Sequence, residues 1–277
     1  MTDAGTTIIA ASPNCFLGYN QFVAFRELAA LGIRQVELEA APGAGEGFVP
    51  ELLDADDLAR FKARLEQIGV SPVCVGAYCD LTLPRQIEMM KRRIDFARDL
   101  GAINVVSDAT RQLDIDANQW RKLVNTLRHL GDYAADQGVR IALETHGGLT
   151  RNGTLARRLL DAVDHPAVGV NYDTGNIYYY NDDLDPVEDV KLVADRVFHV
   201  HLKDTAGGKG EWRFCGLGKG RVNFPGIVDV LSKIGFRGPY SIELEGIRGE
   251  DLNRAGQSTV VRESLEYLRR IGLAQPT

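Results

Sequence analysis

The chain of 277 residues has 44% hydrophobic and 25% charged positions, and 32 Lys and Arg against 38 Asp and Glu leave a formal charge of −6. This is globular composition on a chain long enough to bury its own core, as two domains or as one α/β barrel. The acidic balance argues against a nucleic-acid partner, no run of about 18 apolar residues offers a membrane span, no basic-then-apolar leader opens the chain, and four cysteines without a CxxC pair read as reduced thiols of a cytoplasmic protein.

An apolar run at 8–11 reads as the first strand, and helical patterning over 20–31 follows. A second strand at 35–40 leads to a helix at 55–68. Its Leu58, Phe61, Leu65 and Ile68 recur at helical spacing, and Asp54, three residues ahead of Asp57, marks its start. Strand 72–77 leads to helix 84–100, striped by Ile87, Met90, Ile94 and Ala97, with Lys91-Arg92-Arg93 expected on the solvated face. Strand 104–107 leads to helix 117–136, whose stripe is Trp120, Leu123, Leu127 and Leu130. Met89, Met90 and Trp120 are thus expected in the core, and His129 and His165 at the surface. The pairs continue as 140–145 with 154–163, 168–173 with 186–195, 197–202 with 225–234, and 240–245 with 258–271.

Glycine closes five of these helical segments, at Gly32, Gly69, Gly101, Gly138 and Gly235. It suits the left-handed position just past a helix end, which other residues resist. The first four lie 37, 32 and 37 residues apart, the length of one strand, one loop and one helix. Eight alternating pairs predict a single (β/α)8 TIM barrel over 1–277. No Gly-rich GxGxxG follows the first strand, which disfavours a dinucleotide-binding sheet.

In such a barrel the chemistry sits at the C-terminal ends of the strands. Strands five to eight end in ALETH, NYDTGN, HVHLKD and SIELE. Side chains alternate faces along a strand. If Leu143, Val200, Leu202, Ile242 and Leu244 pack on the helices, then Glu144, His146, Asn171, Asp173, His199, His201, Lys203, Glu243 and Glu245 point inward. Burying that many ionisable groups unpartnered costs several kcal/mol each, and one divalent cation resolves the conflict. A carboxylate-rich set with imidazole is mostly hard, suiting Mn²⁺ first, then Mg²⁺ or Co²⁺. Zn²⁺ fits less well because it usually takes more N or S donors.

Glu, then Asp in DTGN, His in HVHLKD and Glu in SIELEG, in that order, resemble the xylose-isomerase-like barrel superfamily across nearly the whole chain. That superfamily holds sugar and sugar-phosphate isomerases and epimerases, ketose 3-epimerases, inosose dehydratases and endonuclease IV. The resemblance implies Glu144, Asp173, His201 and Glu243 as metal ligands; Glu245, one pleat further out on its strand, is an alternative to Glu243. It implies Glu144 and Glu243 as the groups that move the proton. It also implies Glu37, His146, Asn176, His199 and Lys203 as residues near a small sugar substrate. Asn176 stands where many relatives carry His, and can hydrogen-bond a hydroxyl but not shuttle a proton. The loop Gly216-Leu217-Gly218-Lys219-Gly220-Arg221-Val222 resembles the family's glycine loop, with Lys219 and Arg221 where acidic residues are frequent. These two read as loop charges or as a phosphate clamp. Trp212 and Phe214 read as a lid or as a subunit contact.

The implied activity is metal-dependent isomerisation or epimerisation of a keto sugar through an enediolate. The alternative is a lyase or dehydratase using the same site, on an inosose or a keto-glycoside. Abasic-site nuclease activity is a remote reading, since five histidines and a negative charge suit neither a trinuclear centre nor a phosphate backbone. Related barrels are often homo-oligomers, and some need a second subunit.

Overall fold

The computed structural model describes residues 7–40 and 49–274; the expected domain over 1–277 therefore includes stretches outside the described residues. Among the described residues, ten strands and nine α-helices follow in chain order: β1 (Ile9–Ala11), α1 (Gln21–Ala30), β2 (Gln35–Glu39), α2 (Ala55–Ile68), β3 (Ser71–Gly76), α3 (Pro84–Leu100), β4 (Asn104–Ser107), α4 (Ala117–Asp136), β5 (Arg140–Glu144), α5 (Gly153–Val163), β6 (Val168–Asp173), α6 (Asn176–Tyr180), α7 (Pro186–Lys191), β7 (Val197–Leu202), β8 (Asp204–Thr205), β9 (Phe214–Cys215), α8 (Phe224–Lys233), β10 (Tyr240–Ile242) and α9 (Arg254–Arg270). Eight strands close a parallel barrel in the order β1-β10-β7-β6-β5-β4-β3-β2, and β8 with β9 forms a separate antiparallel hairpin. All eight expected strands are present. The structure adds the short helix α6 and the β8–β9 hairpin, both too short to show a periodicity.

Local chemistry explains the boundaries. Asp54 and Asp57 form a reciprocal capping box at the start of α2, and Gly69 closes that helix at φ 77°. Asp116 and Gln119 cap α4 in the same way. The other four punctuating glycines also adopt positive φ. Helix α9 begins four residues earlier than expected because Asn253 caps it, its side chain accepting from Gly256 N.

Two expectations are corrected. Arg93 is not solvated: it is 2% exposed, its Nε donates to Glu51 at 2.7 Å, and its Nη1 donates to the Ala77 carbonyl. It sits three residues after Met90 and four before Ala97, on the buried stripe of α3, so its head must find partners inside. His165 is likewise half-buried rather than at the plain surface. Its Nδ1 accepts from Ala167 N, and its ring lies where a Cβ on residue 131 would come within 2.5 Å, so Gly131 makes its room. Met90 is fully buried, while Met89 and Trp120 pack against the core at its edge.

Apolar side chains fill two compartments. A large one lies between strands and helices. A small one, Ala10, Val73, Cys74, Val106 and Ala142, floors the barrel interior. Above that floor the inward positions turn polar.

Candidate metal centre and active-site cavity

Glu144 ends β5, Asp173 ends β6, His201 lies on β7, and Glu243 directly follows β10. Register brings them together: Glu144 lies opposite Asn171, Asp173 opposite His201, and Ser241 opposite His201. Glu243 N continues the β10 ladder to Leu202 O at 3.1 Å. One ligating atom from each of Glu144, Asp173, His201 and Glu243 falls within 4.8 Å of the others, and all four residues are buried.

Each carboxylate is fixed by neighbours. Glu144 Oε1 accepts from Asn176 Nδ2 at 3.1 Å, and Oε2 accepts from Tyr78 Oη at 3.1 Å and Asn171 Nδ2 at 3.3 Å. Asp173 Oδ1 accepts from the backbone N–H of Gly175 and Asn176, both at 2.9 Å, which starts α6. Glu243 Oε1 accepts from Asn14 Nδ2 at 3.1 Å. His201 Nδ1 lies 3.1 Å from Glu243 Oε2, 3.6 Å from Glu144 Oε2 and 3.8 Å from Asp173 Oδ2. Lys203 Nζ lies 2.9 Å from Asp173 Oδ2 and 2.8 Å from both Glu243 Oε2 and Glu245 Oε2.

These surroundings set the protonation states. Burial pushes the Glu144 carboxyl up to about 7, against the pull of His201 and His146. Burial works the same way on Glu243, but His201 and Lys203 outweigh it and hold that carboxyl well below its usual range. Burial alone would lower Lys203, yet Asp173, Glu243 and Glu245 keep its ammonium charged. Asp173 Oδ2 and Glu243 Oε2 are buried without an aligned hydrogen bond, close as Lys203 is. Three carboxylates, one imidazole and two orphaned carboxylate oxygens facing one point are a donor set that fits a divalent cation.

The cluster opens into a cavity of about 510 Å³ whose wall includes Tyr78, Arg111, Glu144, His146, Tyr180, Lys203, Trp212, Glu243 and Glu245. Of the sequence candidates, His146 and Lys203 line it, while Glu37, Asn176 and His199 are buried off its wall. Asn176 instead braces Glu144. Glu37 and His199 lie beneath His201, with Glu37 Oε2 3.0 Å from His201 Nε2 and 3.5 Å from His199 Nε2. Glu245 sits at the rim on Lys203, outside the four-residue cluster. Trp212 and Phe214 stack edge to face at 5.0 Å beside Tyr179, and Trp212 forms part of the cavity wall.

Sequence reasoning missed four residues. Asn14 and Tyr78 brace the two glutamates. Asp108 accepts from Arg111 Nε at 2.8 Å and pairs with His146 Nδ1 at 2.9 Å. Tyr78, Asp108 and Arg111 lie just past the ends of β3 and β4, so extending the strand-end survey to the first half of the barrel finds them. Lys219 and Arg221 do not line the cavity. Lys219 pairs with Glu263 at 3.3 Å on the surface, and Arg221 lies 4.3 Å over the Tyr178 ring. Their glycine loop wraps Asp204, which accepts from the N–H groups of Gly218, Gly220 and Val222. A Cβ on Gly220 would come within 2.3 Å of that carboxylate, so the loop needs glycine for close approach.

A family model described as a xylose isomerase-like TIM barrel matches residues 25–271. A 3-dehydroshikimate dehydratase from Pseudomonas putida is 28% identical over 170 residues, 58% of this chain; the match spans only 26% of that protein's length. A xylose isomerase-like TIM barrel protein from Mycobacterium smegmatis, solved with magnesium, superposes with a TM-score of 0.79 at 21% identity, covering 99% of this chain and 100% of that one. The D-psicose 3-epimerase of Clostridium cellulolyticum, solved with D-tagatose, superposes with a TM-score of 0.78 at 16% identity, covering 97% and 100%. Among the described residues no helix is long and apolar enough to cross a membrane.

Proposed function

The chain belongs to the xylose isomerase-like TIM barrel family, and we propose that within it this protein is a divalent-metal-dependent isomerase or epimerase of a keto sugar. The observation that carries this reading is that Glu144 and Glu243, on different strands, meet within one buried cluster and both border the same cavity. Glu144, Asp173, His201 and Glu243 would hold the cation, which would supply charge stabilisation for the oxyanion that develops on a substrate carbonyl oxygen. By donor hardness Mn²⁺ is the first candidate.

Glu144, as an ionised carboxylate, accepts a proton from the carbon next to the carbonyl. Tyr78, Asn171 and Asn176 hold it in place, so orientation precedes chemistry. Glu243 is the second carboxylate; His201 and Lys203 keep it ionised at rest, so the proton it delivers to the substrate carbon is one it first takes from solvent water. Lys203 presents a fixed ammonium to a substrate oxygen, and Tyr180 and Trp212 give the cavity aromatic walls.

A second reading is elimination of water or an aglycone. His146 favours it: the ring lines the cavity two residues from Glu144 and is held by Asp108. Burial lowers its pKa, but Asp108 and Glu144 outweigh burial and raise it, which favours the protonated ring as a donor for a leaving oxygen. Incubation with keto sugars in D₂O separates the readings. A product of the same formula with one solvent deuterium at the isomerised carbon supports epimerisation; loss of water or aglycone supports elimination. Absence of both across ketoses and inososes, with Mn²⁺ bound, contradicts the proposal.

A further inference from the structure

We propose that Glu37 is a positioning residue for His201: a buried carboxylate that fixes which ring nitrogen the histidine presents to the cation cluster. The inference rests on reading Glu144, Asp173, His201 and Glu243 as that cluster. Glu37 comes from β2 and is 0% exposed, walled off from the cavity. No substrate group can reach it, so a carboxylate there must serve something inside the protein.

What it serves is one nitrogen. Both Glu37 oxygens lie at hydrogen-bond distance from His201 Nε2, at 3.2 and 3.0 Å. The opposite nitrogen, Nδ1, faces the three carboxylates of the cluster, nearest Glu243 Oε2 at 3.1 Å. A neutral imidazole carries one proton on one of two nitrogens, and the hydrogen bond made by one decides what the other offers. A carboxylate can only accept. Glu37 therefore draws the proton to Nε2 and leaves the Nδ1 lone pair aimed at the cluster. The β2–β3 register shifts between Val36 and Glu37, with the extra residue, Val73, on β3, so that Glu37 lies opposite Cys74. His199 Nε2 lies 3.5 Å from Glu37 Oε2 without an aligned hydrogen bond.

Glu37, His199 and His201 also bring three ligating atoms within 4.8 Å, which permits a rival reading as a second cation site. Hydrogen-bond spacing favours the positioning role. Two cations sharing His201 would also need the ring to lose both protons, which imidazole resists in neutral water.

The test is Mn²⁺ affinity of the full chain, measured by chelator competition for wild type, Glu37→Gln and Asp173→Ala. Glutamine keeps the size of the side chain but removes the negative charge that draws the proton to Nε2, and its amide can donate to that nitrogen instead. The expected result is a folded Glu37→Gln protein that binds Mn²⁺ about 10–100-fold more weakly. Wild-type affinity in Glu37→Gln, with the ion lost in Asp173→Ala, overturns the positioning role and leaves the cluster standing. Wild-type affinity in both variants, or no binding in wild type, overturns the cluster and the inference with it. Two ions per wild-type chain, one of them lost in Glu37→Gln, overturns the positioning role in favour of a second site. Should Glu37→Gln fail to fold, ¹⁵N NMR of the zinc-loaded wild-type protein decides: a proton on His201 Nε2 supports the inference, and one on Nδ1 overturns it.

Discussion

At the N-terminal end of the barrel interior, Val106 and Ala142 pack with Ala10, Val73 and Cys74 into a largely apolar floor, where burial and Glu37 push the Cys74 thiol up. Two residues further along their own strands, the same inward face carries Asp108 and Glu144, which join Asp173, His201, Lys203 and Glu243. The strands and the burial are alike; only the chemistry differs. The aliphatic side chains of the floor need nothing beyond close packing, so they answer to stability. The upper layer is stable only through mutual neutralisation, with Lys203 shared among three carboxylates, and such an arrangement is weak evidence for stability and stronger evidence for function.

The largest break in that contrast comes from the upper layer. Glu144→Gln and Glu243→Gln should each leave a folded barrel and lower turnover by roughly 10²–10⁴-fold or more; near-normal steady-state rates in either variant contradict their assignment. A second substitution sharpens the division within the layer. His146→Gln should suppress a dehydration product by roughly 10²-fold while leaving epimerisation measurable, and equal loss of both products removes the case for His146 as a leaving-group acid.

The floor should answer differently. Val106→Ala is expected to cost about 2 kcal/mol of stability in denaturant titration and to leave KM and metal affinity unchanged. A change in metal affinity would show that the two layers are not independent.

The smallest expected effect is a pH dependence in protein stripped of metal by a chelator. The Glu144 carboxyl titrates near 7 in the fold, against about 4.5 for an ordinary one. The folded state then binds the proton more tightly than the unfolded chain. Its contribution is fully present below about pH 4.5 and is lost as pH rises through about 7. Tm of Glu144→Gln relative to wild type should therefore rise between pH 5 and pH 8, and a flat difference contradicts the raised value.

The contrast also explains what could be read from sequence. Strand–helix repeats closed by glycine are local signals, so the barrel and its eight strands were legible in chain order, as were the strand-end carboxylates and histidines. Residues whose role depends on a neighbour distant in sequence were not. Arg93 looks like one more charge in a basic run until the stripe of α3 carries it inward to Glu51. Tyr78 and Asp108 have no motif; they matter because the barrel closes and sets them against Glu144 and His146. Glu37 was expected near the substrate, and only the fold shows it beneath His201.

The most direct test of the central claim is bound metal, by elemental mass spectrometry on gently purified protein alongside Asp173→Ala. The account predicts about one divalent ion per wild-type chain and none in the variant. Wild-type protein that holds no ion and takes up none from Mn²⁺, Mg²⁺ or Co²⁺, or a variant that keeps its ion, would contradict it.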